Sequence, residues 1–464
     1  MAVLANRAWM STATAGTGTI TLGSALSGYQ TFADAGITNG QTVPYTIIDG
    51  AGFEIGTGTY TSAGTTLTRT VTESTNSDLA INLSGSATVF ITARAEDILS
   101  FFEDQTFTAA EKAQGRANLG AADYQALAFN NVVVNPKIDV SQELGTTGAT
   151  LSNGSATHIA DNWQAAYNHG AATAVLTSAQ LAAASFGAAL PGFSFGHQIK
   201  ATTAITAPAN GDYAVHRQHI EGYRIATWGF GAAGALDIVV AFQLYSTVSG
   251  VALVRLSNSS AGRLYYHEIT VAAGWNFYAF TVAGDTSGTW LTTTGIGLRF
   301  DVFVCGKETT PGTSFDTWGA TVKIQTTNST NLLGTNNNLT VLTGVYIAPG
   351  TQLPVAADLP KLMRPHSTEL TLCQRWLEYG SYNIGAQAAP TGGSTGKVTR
   401  WPIPFKVTKA TAPTITITES SKTRCATALS TGVTTDNFTI YTTNSNADGD
   451  DYNTLGTWNA DARI

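Results

Sequence analysis

The sequence predicts an all-β fold, and three observations carry that reading. The first is composition: Gly, Thr, Ser, Ala and Asn crowd a 464-residue chain in which only 12% of residues are charged, about half the usual share. The second lies between His219 and Trp290. Four short runs there read as strands: 236–245, 251–256, 264–271 and 275–282. Ile238 to Tyr245 is almost wholly apolar, as a strand covered on both faces would be, while the later runs lean towards period two. The third is turn chemistry. Ser249-Gly250, Ser257-Asn258-Ser259, Ala273-Gly274 and Gly284-Asp285-Thr286 separate the runs at the spacing of a β-sandwich.

The same numbers exclude partners. A net charge of −7 argues against a nucleic-acid ligand, which would want a basic face. No apolar run approaches the ~20 residues of a membrane helix, and Met1 to Arg7 lacks the apolar core of a signal peptide. Cys305, Cys373 and Cys425 are odd in number and far apart, which fits neither a disulfide framework nor a zinc site. Assembly in a reducing cytoplasm is the simpler expectation.

The length fits about three domains. Residues 1–97 read as a sandwich-like β domain, with strands at 18–22, 45–48, 52–56 and 87–93 and turns at Asn39-Gly40, Asp49-Gly50 and Ala63-Gly64. Residues 98–129 read as a short helical hinge. Thr108-Ala109-Ala110-Glu111 forms a capping box and Gly120 a natural stop. Such a helix is marginal alone and would gain from packing copies through Ala113, Ala117 and Leu119. Residues 130–365 carry the central sandwich. Its Ala-rich stretch 179–190 reads as a loop or insertion, 326–340 as a polar surface loop, and 341–347 as the final strand. Residues 366–464 form a third β unit, with strands at 401–405, 413–418 and 437–441. Pro402 and Pro404 suit an edge strand.

Several of these strings resemble proteins of tailed-phage virions. Ala5-Asn6-Arg7 and Ala15 to Leu22 resemble the opening module of fibre and head-spike proteins. Thr108 to Gly120 resembles a tail-fibre hinge helix. Asn135 to Asp139, Ala160 to Trp163, Ile220 to Tyr223, Trp228-Gly229, Arg263 to Tyr266 and Gly284 to Trp290 resemble a fibre jelly-roll domain. Glu369-Leu370-Thr371-Leu372-Cys373-Gln374-Arg375-Trp376 is similar to the "ELxLCQRYY" signature, with Trp for Tyr, and Trp458 to Ile464 to a fibre C-terminus. The resemblance implies an elongated homotrimer located in the virion, docked through residues 1–97, with a central jelly roll and a C-terminal β domain displayed outward to a host surface. Host adhesion is the expected role. A purely structural head or collar fibre is the alternative.

A search for chemistry finds no catalytic set. The histidines at 158, 169, 197, 216, 219, 267 and 366 show no metal spacing, and His216 and His219 would face opposite sides of a strand. There is no nucleophile elbow or phosphate loop. A polysaccharide depolymerase needs two carboxylates flanking a sugar. Asp212, Glu221, Glu268, Asp285 and Asp301 could supply them, but structural roles weigh at least as much, so no enzyme is expected. No cofactor is expected beyond a possible calcium ion on Asp448, Asp450 and Asp451, whose loop lacks regular ligand spacing. The expected ligand is host-surface polysaccharide, bound by exposed rings that stack on apolar sugar faces. Trp318, Tyr379, Tyr382, Tyr441 and Tyr452 are the candidates, whereas Trp228, Trp275 and Trp290 read as core.

Overall fold

The computed structural model describes residues 3–94, 124–170, 174–182, 185, 192–313, 315–386, 396, 398–443, 445 and 452–463. The segment 108–120, expected as a hinge helix, and the segment with Asp448, Asp450 and Asp451, expected as an acidic loop, lie outside the described residues. The chain divides into two compact units, Met1–Ala122 and Asp123–Ile464. Both are built of antiparallel β-sheet.

In the first unit a seven-stranded sheet runs in the order Trp9–Thr12, Ala87–Ile91, Thr42–Asp49, Gly52–Thr61, Thr66–Leu67 and Ile20–Thr21, with Thr70–Ser74 also paired to Gly52–Thr61. The glycines of Gly52–Thr61 mark a close approach: a Cβ on Gly56 would lie 2.2 Å from the Thr70 carbonyl oxygen, so only glycine lets that neighbour cross. A buried carboxylate organises the interior. Glu54 accepts hydrogen bonds from Tyr45 Oη (2.7 Å), Ile81 N (2.8 Å) and Arg69 Nε (2.9 Å). Burial alone would raise its pKa, but Arg69 and these donors hold it below the usual carboxylate range.

The second unit opens on a sandwich. One sheet orders its strands Ala149–Thr150, Val175–Ala182, Phe195–Thr203, Leu339–Pro349, Ile238–Ser246 and Gly274–Val282. The facing sheet orders Ser155–Ala160, Trp163–Asn168, Tyr213–Glu221, Ile296–Gly306, Gly250–Ser257, Leu264–Val271 and Trp318–Gly319. Ile238, Val240, Phe242 and Leu244 meet Val254, Leu256, Phe300 and Val302 between the sheets. Val239 and Ala241, on the outer side of the same strand, are covered by Leu359, Leu362 and Met363. That double cover explains the unbroken apolar run. Val175–Ala182 corrects the expectation of a loop from residue 179, because Ala179 to Ala182 pair with Phe195 to Gln198. The polar segment 326–338 is irregular but anchored, with Leu332 and Leu333 fully buried.

The sequence strings singled out above converge on buried polar contacts. Asn135 sits in the left-handed region (φ 55°), its side-chain amide bonds Val140 O (2.7 Å) and Asp161 O (3.0 Å), and its carbonyl accepts from Trp163 Nε1 (2.8 Å). Its backbone N–H donates to Glu369 Oε2 at 2.9 Å. Glu369 lies on the helix His366–Gln374, 2.8 Å from Arg364 Nε in an ion pair without hydrogen-bond alignment. Arg364 in turn donates to the carbonyls of Ala128, Asn131 and Val133. The closing signature is therefore a clasp that ties the helix to the opening of the sandwich.

A smaller sandwich follows. Leu377–Ala386, Tyr452–Asp461 and Thr414–Thr423 form one sheet, with Tyr452–Asp461 central, and Val398–Pro404, Asn437–Thr443 and Leu429–Thr431 the other, with Asn437–Thr443 central. Ile384, Trp458, Phe438 and Ile440 fill the space between. Lys409 Nζ donates to Glu378 Oε2 (2.6 Å) with both side chains buried.

Candidate glycan-binding site

Trp318 is held at the margin of the large sandwich. The two-residue strand Trp318–Gly319 pairs with Tyr265 and Leu264 at the sheet edge. The preceding turn is fixed by Asp316, a non-glycine residue at φ 59°, where a side chain is uncommon unless its surroundings hold it. Here Asp316 Oδ1 accepts from Tyr265 Oη (3.0 Å) and lies 2.6 Å from His267 Nδ1. His267 stacks on Phe280 with ring centroids 3.8 Å apart. The Trp318 indole meets Trp290 edge-on at 5.3 Å and Phe230 at 5.8 Å, and its Nε1 donates to Ala283 O (2.7 Å). The ring is half-buried.

Beside it lies a pocket of about 470 Å³ whose wall includes Trp318, Tyr266, Thr313, Thr317, Thr321 and Lys323. Tyr266 Oη donates to Thr321 O and accepts from Lys323 N, both at 2.7 Å, so the ring is fixed from two sides. Burial pushes the Tyr266 phenol up to about 12, so it stays protonated at neutral pH. Lys323 Nζ is engaged with Thr310. Beneath the loop, Arg255 donates from Nη1 to Lys323 O (3.2 Å) and from Nη2 and Nε to Asp301 Oδ2 (2.6 and 3.0 Å), while Arg217 Nε reaches Asp301 Oδ1 (2.7 Å). Burial opposes ionisation of Asp301, but the two guanidinium groups hold its carboxyl below the usual range. The arrangement offers two aromatic rings, three threonines and one ammonium on a pinned loop. It is suited to holding a polyhydroxylated ligand by contact.

The other candidates fall elsewhere. Tyr382 corrects the expectation of an outward ring: it is 6% exposed and belongs to the small sandwich's core. Tyr379 is half-buried on the same strand, and the Tyr452 side chain lies outside the described residues. Tyr441 is half-buried on Asn437–Thr443. Trp318 and Tyr441 thus stand on different sheets and do not form one site. Trp228 and Trp290 are buried and Trp275 half-buried against the outer apolar cluster. Tyr266 was missed by sequence reasoning, since its place in a strand reads as packing.

The carboxylates weighed for catalysis are each engaged. Asp285 is held by both Arg263 Nε and Nη2 (2.8 and 2.6 Å) and by Trp290 Nε1. Glu221 pairs with Arg375 (2.6 Å) and Asp212 with His169 (2.5 Å). Glu268 accepts from Asn328 (3.0 Å). His216 faces inward while His219 lines a cleft on the opposite face with His158 and Gln164, as their strand spacing requires.

No family model and no curated protein matches the chain. Among solved structures, it is similar to the enzymatically active domain of bacteriophage CBA120 tailspike protein 4, at 12% identity and TM-score 0.25, over 48% of this chain and 22% of that one. The chain thus spans about a fifth of that tailspike domain's length. It is also similar to TmCBM61 in complex with β-1,4-galactotriose, at 8% identity and TM-score 0.24, over 47% of this chain and 99% of that one. A third similar structure is the family 11 carbohydrate-binding module of the Clostridium thermocellum cellulase Lic26A-Cel5E, at 9% identity and TM-score 0.22, over 45% and 98%.

Proposed function

We propose that the chain is a virion fibre or spike protein of a tailed phage that attaches to host-surface glycan by contact, without cleaving it. The observation that carries the binding reading is the pocket beside Trp318, where rings and hydroxyls converge on a turn fixed by Asp316. Apolar sugar faces stack on rings, and sugar hydroxyls exchange hydrogen bonds with threonine hydroxyls and an ammonium. The virion role rests on the sequence strings quoted above, with residues 1–97 as the docking end and a homotrimer as the assembled form.

Two measurements test this. Purified protein should scatter light as a trimer; a monomer mass at micromolar concentration removes that assembly. It should also compete with virions for host cells, and Trp318→Ala should weaken adsorption about tenfold, as loss of a stacking contact of about 1.4 kcal/mol would. If Trp318→Ala adsorbs normally with an unchanged urea midpoint, the pocket is not the site. If the wild-type protein fails to compete at all, a purely structural fibre replaces the adhesive one.

A further inference from the structure

We propose a second carbohydrate platform on the small sandwich, on the outer face of the sheet formed by Val398–Pro404, Asn437–Thr443 and Leu429–Thr431, and that it takes an acidic oligosaccharide. The proposal rests on the glycan-binding reading and adds the ligand's charge and a separate location.

The register defines the face. Arg400 pairs with Tyr441, and Tyr441 with Leu429; Pro402 pairs with Thr439, and Thr439 with Thr431; Val398 pairs with Thr443. Cross-strand partners share a face, so these residues form adjoining rows about 10 Å wide, twice the strand spacing. The intervening residues Phe438 and Ile440 are fully buried against the other sheet, so the outer face is backed by core and rigid. Leu429 and Val398 are 52% and 41% exposed, an apolar surface with the Tyr441 ring at its centre.

Charge selects the occupant. The residues of this face are apolar or hydroxyl-bearing apart from Asn437 at one end and Arg400, and none is a carboxylate. Arg400 is exposed and has no hydrogen bond or ion pair with any described residue. An open guanidinium fork presents parallel donors that match a carboxylate. Beside a ring it can hold a uronic or sialic acid by its carboxylate while Tyr441 and Pro402 meet the apolar sugar face and Thr439 and Thr431 its hydroxyls. A second copy of the chain fits less well, because the same face would bring another Arg400 and no acid to meet it.

Calorimetric titration of the full chain with tetragalacturonate and with sialyllactose, each against its methyl ester, tests the platform. The expected result is that at least one acid binds about tenfold more tightly than its ester, a preference lost in Arg400→Gln and partly kept in Arg400→Lys, with melting unchanged. Thr439→Glu, which removes a shared hydroxyl contact and places a carboxylate on the same face, should weaken the acid more than the ester and so reduce the preference. Trp318→Ala should change neither. Equal affinity of acid and ester, or a preference that survives Arg400→Gln, overturns the platform. If Trp318→Ala removes the binding instead, glycan recognition stands and this second site falls.

Discussion

Arg364→Leu is expected to lower the stability of the second unit by about 3–5 kcal/mol, because breaking a buried ion pair leaves an uncompensated buried charge. Glu369 is completely inaccessible and Arg364 nearly so. Leucine would strand the Glu369 carboxylate and leave the Val133 carbonyl without its donor, while the carbonyls of Ala128 and Asn131 would keep only Asn131 N and Arg224 Nη2, each at 3.2 Å. Each buried acceptor left unmade costs about 1–3 kcal/mol before relaxation. Urea denaturation followed by tryptophan fluorescence reads the shift in midpoint. A midpoint within experimental error of wild type would show that the clasp between the helix and the sandwich opening does not hold them together.

Acidification should destabilise the same unit well before its carboxylates titrate. Burial pushes His158 and His197 down to about 3, and His216, facing His197, well below the ordinary range. The hydrogen bonds show why both inward rings are neutral. Ser178 Oγ donates to Gln198 O, so it accepts from His197 Nε2 at 3.4 Å. His197 Nδ1 is then an acceptor for His216 Nδ1–H at 2.9 Å, and His216 Nε2 accepts from Thr340 Oγ1 at 2.9 Å. An extra proton on His197 would set two donors face to face, and one on His216 would place a charge in a fully buried site. The unfolded chain takes up protons near pH 6.5 and the folded chain does not, so stability is full above pH 6.5 and falls as pH drops towards 3. From pH 7 to pH 5 His158 and His197 each contribute a loss of about 2 kcal/mol, and His216 adds to it in the same direction. His158→Gln should make the slope shallower. A urea midpoint that is flat between pH 7 and pH 5 would contradict this.

The parts of the fold legible in the sequence were those whose pattern is set by one strand's own environment. Ile238 to Tyr245 announced double burial, and Leu264–Val271 was bounded by its turns. The strands Leu377–Ala386 and Tyr452–Asp461 went unread because glycines interrupt them, and the reason for those glycines is distant: a Cβ on Gly380 would lie 2.3 Å from the Trp458 ring. Ala179 to Ala182 looked like a loop because short side chains carry no period, yet a neighbouring strand recruits them. Tyr382 was misjudged for a related cause. Whether a ring on a strand faces core or solvent depends on which side the second sheet lies, and a single sequence does not show that. Trp318 and Tyr441 were legible as rings near polar segments. The Arg400 row was not, because it exists only once three strands are in register.

In the small sandwich, the strand at the centre of one sheet, Tyr452–Asp461, is also the strand synthesised last of its three. Leu377–Ala386 and Thr414–Thr423 bond to it and not to each other. On the ribosome both must therefore wait, with their edges unpaired, until the chain has been made through Asp461. Closure of this sheet is a late event that spans about 80 residues of sequence, the kind of non-local pairing that slows folding and leaves strand edges open to neighbouring nascent chains.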